Sequence, residues 1–304
     1  MPLETSRAAS IRTAMAYFEY QPTSPLYCYT NSEGFHGILR SKKLWLSDIT
    51  ASNDPRELQL GQDLLAEAVK KFKDNDVVGV SNRDMAGFLA DLFRLQRQAT
   101  LYACCFALDG DELPMWREYA AGGLGVSIGF RPTAISSIPG RIQLVRYAED
   151  DVAEFLRSMV LKLAAVMGKP QTLPRILAAA EALAVMSSLK HRSWKYEREV
   201  RIIFNQRNGK PDPQEFLTQL VSEHPDGRKI LWREPLVRHA RSRDVQYFEF
   251  DYGRYSKGTA DPRRSIEFVY RGPKCEMSVA EINALLVSEG FVGFKVLRSE
   301  CAIQ

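Results

Sequence analysis

The 304-residue chain has no long apolar run, and its few cysteines are scattered. No hydrophobic stretch approaches the roughly 20 residues that a membrane-spanning helix needs. The N-terminal Met1-Pro2-Leu3-Glu4 lacks the basic-then-apolar layout of a secretory signal. The five cysteines are odd in number and irregularly spaced, which is typical neither of a disulfide framework nor of a zinc ribbon. These absences predict a soluble, cytoplasmic protein with no membrane partner.

Common signatures of metal and phosphate chemistry are also missing. The four histidines show no metal-ligand spacing, and there is no glycine-rich phosphate loop or G-x-S-x-G turn, so no metal is expected. The composition, 45% hydrophobic and 26% charged, is that of a globular protein able to bury a sizeable core. A net charge of +4 is too small to indicate nucleic-acid binding by itself.

The hydrophobic pattern predicts strands and helices without regular alternation, which favours an α+β fold over a doubly wound sheet. Residues 1–25 are predicted to hold a helix (Ala8–Phe18) and a linker, and residues 26–304 a single α+β domain with a helical insertion at about 150–190. The predicted strands are Leu26–Thr30, Leu44–Ser47, Thr100–Leu108, Val126–Phe130, Ile142–Tyr147, Trp194–Phe204, Ile230–Trp232, Val245–Asp251, Ser265–Tyr270 and Phe294–Ser299. The predicted helices are Ser32–Arg40, Arg56–Lys73, Ser81–Arg97, Met115–Ala121, Asp151–Met167, Leu173–Leu189 and Val279–Ser288.

The segment Trp194–Phe204 holds the densest group of charges. If it is extended, Glu197, Glu199 and Arg201 share one face, because strand side chains repeat every two residues. Two neighbouring carboxylates raise the pKa of at least one of them unless a cation such as Arg201 or Arg198 compensates. Such a pair is suited to catalysis at a sugar, where a carboxylate stabilises an oxocarbenium-like transition state. The alternative is a salt-bridged strand on a wet surface.

Aromatic residues and a strand–helix junction offer further candidate binding groups. Tyr29 and Thr30 end a strand that leads directly into a helix, where free backbone N–H groups can hold an anionic ligand. Trp116 and Tyr119 lie on one helical face and could stack on a nicotinamide or a base. Both features are equally compatible with ordinary core packing.

The stretch Arg228–Arg243 is strongly basic, with a single acid, Glu234, within it. Such a patch could contact a phosphate-bearing partner, or it could be a solvated loop. Its basic residues are Arg228, Lys229, Arg233, Arg238, Arg241 and Arg243.

Several short blocks, taken in order, resemble a bacterial family catalogued as a domain of unknown function, DUF2971. The resemblance covers about residues 26–300. The blocks are Tyr27-Cys-Tyr-Thr30, Trp45-Leu-Ser47, Asn53-Asp-Pro55 with Glu57, Met115-Trp116 with Tyr119, Gly125–Phe130, Lys190-His191 through Arg201, and Gly272-Pro-Lys274.

That family is distantly similar to ADP-ribosyltransferases of the DarT-like group. The resemblance implies a split mixed or antiparallel β-sheet with peripheral helices. It also implies NAD as substrate, a nucleic-acid or protein acceptor contacted by the Arg228–Arg243 stretch, and a role in toxicity or phage defence. Glu199 matches the glutamate that would bind the nicotinamide ribose, and Glu197 would orient the acceptor. The implied cofactor-binding residues are Tyr29, Thr30, Cys28, Trp116, Tyr119, Ser47 and Arg201.

Cys28 stands where the family often has histidine, and a thiol is a weak donor to ribose or phosphate. Two alternatives therefore remain open. One is a metal-dependent nuclease with Asp54, Glu197 and Glu199 as oxygen ligands for Mg²⁺. The other is a non-catalytic module that binds nucleotides or nucleic acids in a degenerate cleft.

Overall fold

The computed structural model describes residues 19–54, 56–148, 150–167, 172–210, 220–223, 229–240, 242–256 and 259–302. The predicted helix Ala8–Phe18, Pro55, and Arg228 and Arg241 of the basic stretch lie outside these residues. The helices are α1 (Ser32–Ser41), α2 (Glu57–Lys70), α3 (Asn82–Arg97), α4 (Leu113–Tyr119), α5 (Pro132–Ile135), α6 (Asp150–Met167), α7 (Thr172–Met186) and α8 (Val279–Ser288). None of the helices described is long and apolar enough to cross a bilayer.

The strands build one large sheet and three small two-stranded ones. They are β1 (Leu26–Thr30), β2 (Lys43–Asp48), β3 (Ala99–Ala107), β4 (Val126–Phe130), β5 (Arg141–Leu144), β6 (Arg146–Tyr147), β7 (Leu189–Lys190), β8 (Glu199–Arg207), β9 (Leu220–Glu223), β10 (Lys229–Leu231), β11 (Leu236–Ala240), β12 (Arg243–Asp251), β13 (Arg254–Ser256), β14 (Thr259–Asp261), β15 (Ile266–Arg271) and β16 (Lys295–Arg298). The prediction of a mixed α+β fold is confirmed.

The large sheet has the order β11-β12-β2-β3-β1-β4-β15-β16, with β8 and β5 branching from β3. Its pairs are antiparallel apart from β15 and β16. Strand β8 pairs with β3 along its whole length, from Ala99 to Ala107. Strands β2 and β1 must therefore share the other edge of β3, where β2 pairs at Ala103 and β1 at Ala107. The sheet consequently splits between β1 and β2.

The two faces of the sheet pack against different helices. Leu26, Leu44, Phe106 and Ile202 point into the main core, which α1, α5 and α8 cover. The opposite face meets a helical layer of α2, α3, α6 and α7 through residues such as Ile203. We call this opposite face the site face, because it carries the candidate site described below.

Five of the observed strands, β7, β9, β11, β13 and β14, were absent from the sequence prediction, and β11 is the one that belongs to the large sheet. The segment Leu236–Ala240, interpreted from its charges as part of a basic loop, forms β11 and pairs antiparallel with β12. Leu236 and Val237 are about half exposed. An edge strand of this kind buries little, so its apolar pattern is weak.

The contact between α2 and α7 depends on the absence of a side chain at Gly61. A Cβ there would lie 2.0 Å from the backbone oxygen of Met186, whereas a Cβ at Gly87 in α3 would meet nothing within 4 Å. We expect Gly61→Ala to destabilise the fold by about 1–3 kcal/mol through overpacking. Gly87→Ala is the matched control and should stabilise by about 0.5–1 kcal/mol, since alanine favours helix. Urea unfolding measures both, and equal effects of the two would contradict the close packing.

Candidate functional site

A cavity of about 350 Å³ opens on the site face where the sheet splits. Alternating residues of the central strands form its wall, because successive strand side chains point to opposite faces. Tyr27 and Tyr29 come from β1, Ser47 from β2, and Cys105 from β3. The chain therefore brings three strands distant in sequence to one concave surface.

The strand that carries the acidic residues begins later than the sequence predicts. Arg192–Glu197 forms a 3₁₀ helix rather than a strand, and the ring of His191 accepts the Ser193 N–H at its start. Arg198 is in the left-handed region, with φ of 43°, and Glu199 opens β8. The prediction of an extended Trp194–Glu197 segment is therefore wrong, because side-chain capping and a backbone reversal replace strand pairing there. The face shared by Glu199 and Arg201 is as predicted.

Five ionisable side chains pack together at the inner end of this cavity. They form an ion cluster of residues that are at most 5% exposed, namely Glu57, Lys190, Glu197, Glu199 and Arg201. Lys190 Nζ lies 2.5 Å from Glu197 Oε2 and 2.7 Å from Glu199 Oε2. Arg201 donates from Nε to Glu199 Oε1 over 2.6 Å and from Nη2 to Glu57. Each cation thus bridges two carboxylates.

The surroundings of the two carboxylates on the cavity wall drive their pKa values apart. Burial and the neighbouring charge of Glu199 raise the pKa of Glu197. Burial also acts to raise the pKa of Glu199, but Arg201 and Lys190 outweigh it and hold that pKa well below its usual range. Burial acts against the charged form of Lys190, while Glu199 outweighs it and raises the pKa of that ammonium. Glu199 is a fixed negative charge, and Glu197 is the member suited to holding a proton.

Glu197 is held from the other side by a tyrosine. Tyr119 donates its hydroxyl hydrogen to Glu197 Oε1, and Asn53 Nδ2 donates to the Tyr119 oxygen over 3.2 Å. Burial and the charge of Glu197 raise the pKa of Tyr119, so the phenol stays protonated. Asn53, Tyr119 and Glu197 all line the cavity.

Tyr29 and Trp116 contact each other, but only Tyr29 reaches the cavity. The Tyr29 hydroxyl donates to the backbone oxygen of Asp109 and accepts from the N–H of Glu112. Trp116 has no exposed surface and packs edge-on against Tyr29, with 5.0 Å between ring centroids. Its Nε1 donates to Asp111 Oδ1. The structure therefore places Trp116 behind the cavity wall, where it fixes Tyr29.

The structure places Cys28 and Thr30 away from the lining of the cavity. Both belong to the alternate set of β1 side chains, and Cys28 packs against the main core. Burial raises the pKa of the Cys28 thiol to about 12, so it stays neutral at ordinary pH. The predicted residues that do line the cavity are Tyr29, Ser47, Tyr119, Glu197, Glu199 and Arg201.

Two arginines of the predicted basic stretch line the more exposed part of the cavity. Arg238 of β11 donates to Ser47 Oγ over 3.2 Å, and its guanidinium lies 5.2 Å from the Trp45 ring centroid. Its Nε is buried and has no hydrogen-bond partner among the described residues. Arg243 is exposed and donates to the backbone oxygen of Thr50. Arg233 lies elsewhere, 4.9 Å from the Phe250 ring centroid.

Sequence reasoning did not assign a site role to Glu57, Lys190 or Asn53. Glu57 is the first residue of α2 and lies 144 residues from Arg201 in the chain. The motif blocks could have indicated these residues. All three belong to the blocks Asn53-Asp-Pro55 with Glu57 and Lys190-His191. No spacing rule links two residues so far apart in sequence, so only the fold shows their contact.

Within the part of the chain that the structure describes, no three His, Cys, Asp or Glu side chains are grouped as metal ligands. Asp54, a ligand in the nuclease alternative, accepts from the backbone N–H of Arg56 and is not among the lining residues of the cavity. The space between Glu197 and Glu199 is taken by the Lys190 ammonium.

The depressed pKa of Glu199 predicts a loss of stability in acid. Its folded-state pKa lies below the ordinary value of 4.5, so its ionisation stabilises the fold above pH 4.5 and this contribution is lost as the pH falls below it. One such group adds a slope of up to about 1.4 kcal/mol per pH unit. Urea unfolding below that pH should therefore show a shallower pH dependence for Glu199→Gln than for the wild type. The exposed Glu154→Gln is the control and should keep the wild-type slope. Identical slopes for all three proteins would contradict the assignment.

Comparison with known proteins identifies one family. Residues 115–202 match the model of a family described as Protein of unknown function (DUF2971). No curated protein and no solved structure matches the chain significantly. The matched residues contain Lys190, Glu197, Glu199 and Arg201 of the ion cluster, whereas Glu57 lies before them. Over residues 115–202 the match supports the resemblance that the motif blocks predict.

Proposed function

We propose that this protein transfers ADP-ribose from NAD to a macromolecular acceptor, a nucleic acid or a protein. The observation that supports this most is the polarity of the cavity. Buried carboxylates, Glu197 and Glu199, lie at one end, and two arginines, Arg238 and Arg243, lie toward solvent. NAD has a matching polarity, with a cationic nicotinamide riboside at one end and an anionic diphosphate beside it.

The arginines suit the diphosphate. Guanidinium groups bind phosphate oxygens through paired N–H donors. The buried Nε of Arg238 lacks a partner among the described residues, so it can donate to a ligand without breaking an existing bond. With the diphosphate held there, the nicotinamide ribose points inward toward the ion cluster.

The acidic end suits the chemistry at the ribose. Breaking the bond from ribose C1′ to nicotinamide nitrogen leaves its electron pair on nicotinamide and develops positive charge on the ribose. A preorganised carboxylate stabilises that charge. The acceptor nucleophile then attacks C1′ and gives up its proton.

The two carboxylates divide these tasks. Glu199 already accepts from Lys190 and twice from Arg201, so its negative charge is fixed and acts electrostatically on the oxocarbenium. Glu197 accepts from Tyr119 and Lys190 and keeps more accepting capacity. With its raised pKa it is suited to bind a ribose or acceptor hydroxyl and to take the proton. Tyr29 and Tyr119 form the adjacent wall.

Transfer is tested by incubating the purified protein with labelled NAD and with either nucleic acid or cell protein. We expect labelled acceptor with the wild type and a loss of about 100-fold or more with Glu199→Gln, as for removal of a preorganised electrostatic group. Glu154→Gln is the matched surface control and should label as the wild type does. Equal labelling by Glu199→Gln and wild type would remove this carboxylate from the mechanism.

Two further measurements separate the alternatives. Cleavage of nucleic acid that needs Mg²⁺ and ignores NAD would favour the nuclease. A thermal shift with an oligonucleotide, but none with NAD or ADP-ribose, would favour a non-catalytic module.

A further inference from the structure

A second cavity, of about 150 Å³, shares no lining residue with the first. At about 30 Å³ for each water, it holds roughly five waters or a small organic molecule. Its lining includes Glu19, Tyr20, Gln143 of β5, Arg146 of β6 and Phe155 of α6. Neither the proposed transfer reaction nor the family match gives this cavity a role.

Gln143 is the feature that points to a ligand. Its side chain is 2% exposed, and its Nε2 has no hydrogen-bond partner among the described residues. A buried amide without a partner costs stability, so a leucine or methionine would serve the fold better. Since none of the residues that the structure describes satisfies this amide, its position in the cavity wall points to a ligand.

The charges of the lining indicate which partner. The cavity contains one carboxylate, Glu19, and one guanidinium, Arg146, so its formal charges cancel and favour a neutral ligand. The Arg146 guanidinium lies 3.9 Å from the Phe155 ring centroid, which makes a flat polar–aromatic surface beside Gln143. A primary carboxamide satisfies a glutamine amide with a paired N–H and C=O. A carboxylate would be attracted by Arg146 and repelled by Glu19, and it has no N–H to donate to the oxygen of Gln143.

The second cavity is also joined to the candidate site through the backbone. Gln143 pairs directly with Arg201 across β5 and β8. Ser188, in its lining, follows Ser187, whose carbonyl oxygen accepts from Arg201 Nη1 over 2.6 Å. Two residues that line this cavity are therefore neighbours of the ion cluster. Gln143 is the strand partner of Arg201, and Ser188 follows the residue whose carbonyl oxygen accepts from Arg201.

We propose that the second cavity is a binding site for a small neutral carboxamide, held by Gln143 and by the stacked pair of Arg146 and Phe155. The site is separate from the cavity proposed for NAD, because the two cavities share no lining residue.

The probe is benzamide, with benzoate as its charged counterpart, titrated into the full chain by calorimetry. We expect saturable one-to-one binding of benzamide, and at least tenfold weaker binding of benzoate. Gln143→Met should weaken benzamide at least tenfold, yet unfold at the same or a higher urea concentration than the wild type, because the amide has no partner to lose. Arg146→Gln is a second, partly exposed change and should weaken binding also.

Tyr27→Leu separates this site from the first cavity. Tyr27 lines only the first cavity and is not part of the ion cluster, so this variant should bind benzamide as the wild type does. Three results would overturn the proposal: no saturable binding, benzoate bound better than benzamide, or binding kept in Gln143→Met and lost in Tyr27→Leu. None of them bears on labelled-NAD transfer, which is measured separately.

Discussion

Replacing Arg201 with methionine is expected to lower the free energy of unfolding by about 3–5 kcal/mol. The guanidinium is 1% exposed and bridges Glu199 and Glu57. Methionine fills a similar volume but leaves those carboxylates buried with one cation, Lys190, between them. The cost is mainly that of uncompensated buried charge rather than of lost packing.

Urea unfolding at neutral pH measures this effect. Arg207→Met, on the exposed end of the same strand, is the matched control and should change stability by less than about 0.5 kcal/mol. Adding Glu199→Gln to Arg201→Met should recover part of the loss, because one unpaired charge is removed with its partner. If Arg201→Met lost no more stability than Arg207→Met, then Arg201 would not be what holds the buried carboxylates.

Replacing Lys190 with methionine is expected to reduce labelled-NAD transfer by about 100-fold or more. Lys190 is the cation that separates Glu197 from Glu199. Without it the two carboxylates repel, and they then share a proton instead of presenting one fixed charge and one base. The proposed chemistry depends on this division between one ionised carboxylate and one base, which the variant loses.

The pH dependence of stability distinguishes this electrostatic role from simple misfolding. Because protonation relieves the repulsion, the deficit of Lys190→Met relative to the wild type should be larger at about pH 8 than at about pH 5. Lys295→Met, an exposed change on β16, is the control. A deficit that is independent of pH would indicate lost packing rather than lost charge.

The alternation of apolar residues was sufficient to predict the central strands. Leu26–Thr30 and Val126–Phe130 form with the predicted boundaries, and Val200, Ile202 and Phe204 point into the main core. Helix Val279–Ser288 also forms with the predicted boundaries, and in the structure Ser278 and Glu281 form a capping box at its start. Sequence patterns predict these elements well because the apolar residues that recur at strand or helix spacing are the same residues that the core buries.

The charged segment before β8 shows where local patterns fail. Its alternation continues upstream to Trp194, but residues Arg192–Glu197 turn as a 3₁₀ helix. Glu197 and Glu199 still meet, because Arg198 adopts a left-handed conformation and because Lys190 bridges them. Glu197 and Glu199 are therefore close in space, as predicted, but a turn and a bridging lysine bring them together rather than strand alternation.

The rest of the site depends on long-range contacts that no pattern encodes. Glu57 reaches Arg201 because α2 packs its first turn against the site face, and Arg238 reaches Ser47 because β11 adds to the sheet beside β12. Thr30 and Trp116 belong to the family's motif blocks, and Cys28 stands where the family often has histidine. Strand alternation and burial behind Tyr29 direct all three away from the cavity.

The most direct test of the proposed site is a crystal structure of the Glu199→Gln variant soaked with NAD. Electron density should place the nicotinamide ribose within hydrogen-bond distance of Glu197, with the diphosphate against Arg238 and Arg243. NAD bound outside this cavity, or a cavity empty at millimolar NAD while the wild type still transfers label, would contradict the site.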